Sequence, residues 1–237
     1  LASMGIYIFN WKILREALIE NREQDNLDFG KHIIPYCYNG GKGSCFAYEF
    51  NGYWKDVGTL HSYWEANMEL IDIVPDFNLY EEYWKIYTHT LTLPPMYASE
   101  DSVIEKAIVG ECSGIYGRVY NSVIGCNVTV GRNTEIRDSI IMNDVVIGDN
   151  CRINKSIIAE GAVLGSGIFT GAGDEVPNET DPHIYTYGLV TIGEGSVVPD
   201  NVTIGKNCMI NGETLLKHYP NNILQSGKTL NKAGGLE

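Results

Sequence analysis

The sequence has no long hydrophobic run, no paired-cysteine motif and few basic residues. None of its apolar runs approaches the roughly 18 residues that a membrane-spanning helix needs, and its first residues lack the charged-then-apolar layout of a secretory signal. Its 237 residues include 17 Lys and Arg against 30 Asp and Glu, and the formal charge of −13 opposes binding to a phosphate backbone. We therefore expect no membrane partner, no nucleic-acid partner and a cytoplasmic location.

The six cysteines form no C-x-x-C pair and lie in no cluster of metal-ligating residues. A chain of this length does not need disulfides for stability, so we expect free thiols and no zinc site. Glycine, in contrast, is abundant, with 26 residues, and this abundance requires a backbone explanation.

A hexapeptide repeat supplies that explanation. An aliphatic residue followed by a small or polar one recurs in steps of 6, 6, 5, 6, 6, 5 and 6, at Ile124, Val130, Ile136, Ile141, Ile147, Ile153, Ile158 and Leu164. Three short strands per turn of a triangular coil explain the period of 17 residues that results, whereas an ordinary β-sandwich would not hold a fixed hexad. The hexads return between Ile192 and Ile210.

We therefore predict a left-handed parallel β-helix over residues 103–237, with a loop-out at about 168–190. Inward aliphatic side chains should stack from coil to coil. Glycine, asparagine and aspartate should occupy the corners, where a positive φ is tolerable.

Residues 1–74 have mixed α/β character, and residues 75–102, which contain three prolines, are predicted to be a connector packed by aromatic side chains. Strands are predicted at Ser3–Phe9, Ser44–Phe50 and Tyr53–Val57. Helices are predicted at Trp11–Glu20, with Trp11, Leu14, Leu18 and Ile19 on its apolar side, at Phe29–Tyr38 with a break near Pro35, and from a Thr59 N-cap to Ile71.

A hexapeptide β-helix occurs in several classes of protein, so the first 74 residues must indicate the function. They carry three motifs in order: ASMGIYIF at residues 2–9, DFGK followed by IIP at residues 28–35, and GYWKDVGT followed by WEAN at residues 52–67. In this order and spacing the motifs resemble the second half of the catalytic domain of the ADP-glucose pyrophosphorylases, or glucose-1-phosphate adenylyltransferases, in which a β-helix follows. That half belongs to a Rossmann-like nucleotidyltransferase domain.

The resemblance implies an enzyme that joins glucose 1-phosphate to ATP, releases ADP-glucose and pyrophosphate for glycogen synthesis, and uses Mg²⁺. It also implies an allosterically regulated homo- or hetero-oligomer, usually a tetramer. The family's phosphate-binding loop and its sugar-phosphate lysine are expected upstream of Leu1. We therefore expect this chain to be inactive by itself.

Four residues are candidates for the site. Asp56, before the Gly58 turn, offers the hard oxygen ligands that Mg²⁺ prefers, and the resemblance implies that it shares the metal with an aspartate of the upstream half. Ser3 matches the family serine that hydrogen-bonds glucose, Trp54 would form an apolar wall for the sugar ring, and Lys31 would face a phosphate. Each residue also has a purely structural interpretation. Asp56 could stabilise the turn, and Ser3 could be a residue at the end of a strand. Trp54 could be a core residue, and Lys31 could be a solvated surface lysine.

Three alternatives stay open. The chain could belong to a regulatory, non-catalytic subunit of the same enzyme, although Ser3 and Asp56 argue against this. It could be a hexapeptide acyltransferase with a histidine general base, for which only His183 in the loop-out is suitably placed. It could also be a structural module that assembles subunits. One departure from the family is His32, where an acidic residue is common.

Overall fold

The computed structural model describes residues 3–39, 44–72, 74–79, 81–85, 87–88 and 92–232. The chain divides into two compact units, Leu1–Trp54 and Lys55–Glu237. All six cysteines are free thiols. Within the described residues, no helix combines the length and the apolar character that crossing a membrane requires.

The first unit is built from helices. Helix α1, Trp11–Glu20, begins at Asn10, whose side chain accepts a hydrogen bond from the Lys12 N–H at 3.1 Å. A π-helical turn, Phe29–Ile33, runs directly into α2, Ile34–Asn39. The predicted break near Pro35 is therefore wrong: proline cannot donate a backbone hydrogen bond, and the chain accommodates it by changing from π to α pairing just before it.

A small apolar core joins these helices. Ala17, Ile33 and Cys37 are buried, and Leu14 and Leu18 pack against them as predicted. Trp11 and Ile19, which were predicted on the same side of α1, are exposed instead, because the core is too narrow to cover that whole side of the helix.

The three predicted strands of this region are not formed. Residues 3–9, 44–50 and 53–57 have no strand assignment, and none belongs to a described sheet. A strand needs a neighbouring strand to satisfy its backbone N–H and C=O groups. Ile8 is 100% exposed and Phe46 is 91% exposed, so apolar side chains typical of a sheet lie open here.

The second unit begins with a helix, α3, Leu60–Glu69, capped by Thr59 as predicted. A parallel β-helix follows. Its strands are β1 Tyr97–Ala98, β2 Val103–Val109, β3 Gly114–Ile115, β4 Arg118–Ile124, β5 Thr129–Val130, β6 Glu135–Arg137, β7 Ile140–Ile141, β8 Val146–Ile147, β9 Arg152–Asn154, β10 Ser156–Ile158, β11 Val163–Leu164, β12 Phe169–Ala172, β13 Val190–Ile192, β14 Val197–Val198, β15 Thr203–Gly205, β16 Met209–Gly212, β17 Ile223–Leu224 and β18 Thr229–Lys232.

The strand register confirms the coil predicted from the hexads. Strands β1, β3, β5, β8, β11 and β14 form one face, and the other two faces are joined through the long strand β4. Ile141 pairs in parallel with Ile124 on one side and Ile158 on the other, and all three are buried. The core of this unit therefore consists of aliphatic columns, in which a buried side chain contributes about 1.5–3 kcal/mol.

The corners are only partly as predicted. Asn127, Asn133 and Asp144 do have positive φ. Gly131 does not; a Cβ added to it would lie 2.5 Å from the carbonyl carbon of Gly148 in the next coil. This glycine is present because adjacent coils approach closely.

The β-helix begins earlier than predicted. It begins at Tyr97, within the predicted connector, because Tyr97 pairs with Gly114. In the described part of the connector, Tyr83 and Trp84 are exposed rather than packed. Toward the end of the described residues, β17 and β18 add a further coil within the predicted range.

The loop-out is shorter than predicted. Ile168 is a core residue, β12 ends at Ala172, and β13 resumes at Val190, so only residues 173–189 leave the coil. Two buried asparagines close the base of this loop. The Asn178 side chain donates to the Asn207 carbonyl at 2.9 Å, and Asn207 Oδ1 accepts from the Gly188 N–H at 2.7 Å.

Candidate functional site

Asp56 lies in the turn before α3. Its Oδ1 accepts a hydrogen bond from the Gly58 N–H at 2.9 Å, so the carboxylate does stabilise this turn. The side chain is exposed, and Oδ2 has no hydrogen-bond partner among the residues that the structure describes. Asp56 therefore retains an oxygen for a ligand.

A capping box connects this turn to the helix. Thr59 Oγ1 accepts from the Ser62 N–H at 3.1 Å, and Ser62 Oγ accepts from the Thr59 N–H at 3.2 Å. These reciprocal bonds satisfy backbone donors that the helix start would otherwise leave without partners. The capping box thus fixes the start of α3, but it includes no atom of Asp56.

Lys55, the residue before Asp56, is ion-paired with the far end of α3. Its Nζ forms an ion pair with Glu69 and a second with Glu65 Oε2 at 3.4 Å. The hydrogen bond to Glu69 raises the pKa of Lys55 above its ordinary value. Glu65 also pairs with His61 Nε2 at 3.2 Å.

Helix α3 packs against the β-helix. Trp64 Nε1 donates to the Asp138 carbonyl at 2.7 Å, and the apolar side of the helix covers Ile140, Ile157 and Leu189. The Lys155 ammonium lies 5.5 Å from the Trp64 ring centroid, within cation–π range. The helix therefore belongs to the compact unit that contains the β-helix, Lys55–Glu237.

Replacing Trp64 with phenylalanine should measure this attachment. The ring stays apolar, but the Asp138 carbonyl loses its indole donor, so we expect a loss of about 1–2 kcal/mol in the free energy of unfolding. Urea denaturation followed by circular dichroism measures the change. Trp11→Phe is the matched control, because Trp11 is 68% exposed; equal losses in the two variants would contradict the attachment.

The loop-out also contacts α3. The Tyr187 ring stacks on His61 with 3.9 Å between centroids and 17° between planes. Tyr187 has a φ of 58°, which is uncommon for an aromatic residue and costs conformational energy. His61 therefore has a structural contact, whereas His183 lies exposed elsewhere on the loop.

Ser3 is exposed in the first unit. Its Oγ accepts from the Gly5 N–H at 3.2 Å and lies 2.8 Å from the Tyr7 hydroxyl. Tyr7 in turn stacks on Phe29, with 6.0 Å between ring centroids. A hydroxyl can make three hydrogen bonds, so Ser3 has capacity for one more.

Lys31 and Trp54 are also exposed. The Lys31 N–H donates to Asp28 Oδ1 at 2.7 Å, and the Asp28 N–H donates to His32 Nδ1 at 3.0 Å, so His32 serves as part of a cap. The Lys31 side chain lines an open groove of about 440 Å³ beside α1 and α2. Ser3, Lys31 and Trp54 make separate local contacts, and no hydrogen bond joins them within the described part of this unit.

The fit to Mg²⁺ depends on Asp56. In the part of the chain that the structure describes, no group of three or more His, Cys, Asp or Glu could hold a metal ion. Magnesium in phosphate-transferring sites is usually bound by one or two carboxylates together with substrate phosphates and water. A single exposed carboxylate therefore provides the right kind of ligand, to be completed by ligands from elsewhere.

Comparison with known proteins matches both parts of the chain. Residues 1–73 match the nucleotidyl transferase family, and residues 96–192 match the GlmU-like C-terminal hexapeptide family. A glucose-1-phosphate adenylyltransferase of Lachnospira eligens is 63% identical over 99% of this chain and 55% of its own length. Those of Acetivibrio thermocellus and Thermotoga maritima are 46% and 49% identical, over 100% and 96% of this chain and 56% and 54% of their own lengths.

This chain is thus similar over nearly its whole length to glucose-1-phosphate adenylyltransferases. It spans about half the length of the curated relatives it matches. The resemblance stated from the three motifs is thereby confirmed, as is a nucleotidyl transferase segment followed by a hexapeptide β-helix.

Sequence reasoning missed the ion pairs of Lys55 and the attachment of α3 to the β-helix. Only the ion pairs had a signal in the sequence. His61, Glu65 and Glu69 follow one another at intervals of four, which places them on one helix face. Trp64 belongs to the third motif used for the resemblance, but nothing in the sequence pairs it with Asp138.

Proposed function

We propose that this chain forms the sugar-facing and metal-binding part of a glucose-1-phosphate adenylyltransferase. In this reaction an oxygen of glucose 1-phosphate attacks the α-phosphorus of ATP, the bond to pyrophosphate breaks, and ADP-glucose forms. The observation that best supports the proposal is the 63% identity to the Lachnospira eligens relative over 234 residues, which runs through both units of the chain.

The proposed roles follow from the chemistry of each side chain. Asp56 binds Mg²⁺ through the oxygen that the Gly58 turn leaves available. When bound, the metal offsets negative charge on the reacting phosphates. Ser3 donates to or accepts from a glucose hydroxyl, Trp54 covers an apolar sugar face, and Lys31 faces a phosphate.

A chimera tests the proposal directly. This chain replaces the matching segment of the Lachnospira eligens relative, which supplies the remaining length. We expect the chimera to form ADP-glucose from ATP and glucose 1-phosphate only with Mg²⁺, and we expect the isolated chain to be inactive. A folded chimera with no activity, beside an active relative, would contradict the proposal.

Changing Ser3 to alanine in the chimera tests the sugar contact. Loss of one neutral hydrogen bond costs about 0.5–1.5 kcal/mol, so the KM for glucose 1-phosphate should rise about 2- to 13-fold. Initial rates at varied glucose 1-phosphate measure the change. The KM for ATP is the internal control; an unchanged KM for the sugar phosphate would remove Ser3 from the site.

We further propose a cytoplasmic, allosterically regulated tetramer in glycogen synthesis as the state of the parent enzyme. Light scattering of the chimera tests the tetramer, and a monomer at high concentration would contradict it. Neither the regulatory subunit nor the acyltransferase gains support from the described residues.

A further inference from the structure

Lys55 occupies an unusual position beside the proposed metal ligand. Its side chain is 21% exposed, although it carries a charge, whereas the neighbouring Asp56 side chain is open to solvent. Adjacent side chains thus have opposite environments: Lys55 faces α3 and Asp56 faces away. The ion pairs of Lys55 hold the backbone of this short segment against the helix.

The helix is a firm support for Lys55. At its start, Thr59 and Ser62 form the capping box. In its middle, Trp64 is hydrogen-bonded to the β-helix, and Tyr187 of the loop-out stacks on His61. A side chain tied to α3 is therefore tied to the β-helix as well.

Asp56 has little else to fix it. Within the described residues, its one side-chain hydrogen bond goes to Gly58, two residues away, and this bond would travel with the turn if the turn moved. Without the Lys55 cation, Glu65 and Glu69 would be like charges at an i,i+4 spacing, which repel each other. Loss of the Lys55 cation would thus free the segment that contains Asp56 from α3 and leave Glu65 and Glu69 repelling each other.

We propose that Lys55 is a positioning residue, whose ion pairs with Glu65 and Glu69 hold Asp56 where its carboxylate can bind the metal. This proposal rests on the function proposed above. Partners that orient a metal ligand typically change metal affinity about 10- to 100-fold when removed. Partly exposed ion pairs, in contrast, contribute little to global stability.

An effect on metal affinity can be separated from an effect on global stability in the chimera. We expect Lys55→Met to raise the half-saturating Mg²⁺ concentration about tenfold or more, and to weaken Mn²⁺ binding measured by electron paramagnetic resonance to the same extent. The melting temperature should change little. Lys55→Arg, which keeps the cation, should restore metal dependence to within about twofold of the unaltered chimera.

Two further variants make the outcome decisive. Glu69→Gln removes the carboxylate partner and should weaken metal binding in the same direction, so it tests the proposal even if Lys55→Met fails to fold. Asp56→Asn is the reference for loss of the ligand itself. If Asp56→Asn weakens Mn²⁺ binding but Lys55→Met and Glu69→Gln do not, the positioning role is overturned; if Asp56→Asn has no effect, the proposed function fails first.

Discussion

Replacing Asp56 with asparagine in the chimera is expected to lower kcat for ADP-glucose formation by at least about 100-fold at ordinary Mg²⁺ concentrations. A catalytic metal supplies several kcal/mol of charge stabilisation, and each 1.36 kcal/mol corresponds to a factor of ten in rate. Asparagine has nearly the same shape and can still accept from the Gly58 N–H, so the turn should persist. The measurement is the initial rate at saturating ATP and glucose 1-phosphate.

A second variant tests whether the loss of rate is specific to the Asp56 carboxylate or follows from losing any surface negative charge. Asp101→Asn removes one negative charge from an exposed turn between β1 and β2 and should leave the rate unchanged. A rate for Asp56→Asn within about threefold of the Asp101→Asn rate, far short of what loss of a metal ligand costs, would assign Asp56 to the turn alone.

Shortening one core isoleucine should have the largest effect on stability. We expect Ile141→Ala to lower the free energy of unfolding by about 2–5 kcal/mol, because it opens a cavity in an aliphatic column. Ile141 is 1% exposed and lies between Ile124 and Ile158. Its neighbours belong to consecutive coils, whose regular pairing limits how far they can collapse into the space.

Urea unfolding of the chain, followed by circular dichroism, measures this loss. Val146→Ala is the matched control, since Val146 points outward from the adjacent face and is 42% exposed; its cost should stay below about 1 kcal/mol. Equal losses at the two positions would contradict an inward column of stacked isoleucines.

The β-helix could be predicted because its signal repeats. Each coil places an isoleucine, valine or leucine at the same phase, so a single irregular hexad does not obscure the period. The ends were harder to place. At the start, Ala98 pairs with Ile115 but is not a large aliphatic residue. At the end, Leu224 pairs with Ile204 and Leu230 with Ile210, at separations longer than the 17-residue period.

In the first unit, the predicted strands were wrong. Residues 3–9 and 44–50 have the β-branched and aromatic content of strands, but strand formation depends on a partner that local sequence does not specify. The helices, whose hydrogen bonds are internal, were predicted well at Trp11–Glu20 and at Leu60–Glu69.

In the candidate site, too, local contacts could be predicted from the sequence and long-range contacts could not. Asp56 and its Gly58 turn were readable because the contact is local. The roles of Lys55 and Trp64 were not, because Lys55 acts across 14 residues and Trp64 across 74. Contacts over such separations depend on the finished fold.

The most direct test of the central claim, that this chain supplies a metal ligand of an adenylyltransferase, is Mn²⁺ binding. Electron paramagnetic resonance of the chimera with ADP-glucose present should show bound Mn²⁺, and Asp56→Asn should weaken that binding about tenfold or more. Equal Mn²⁺ affinity in the two proteins would contradict the claim.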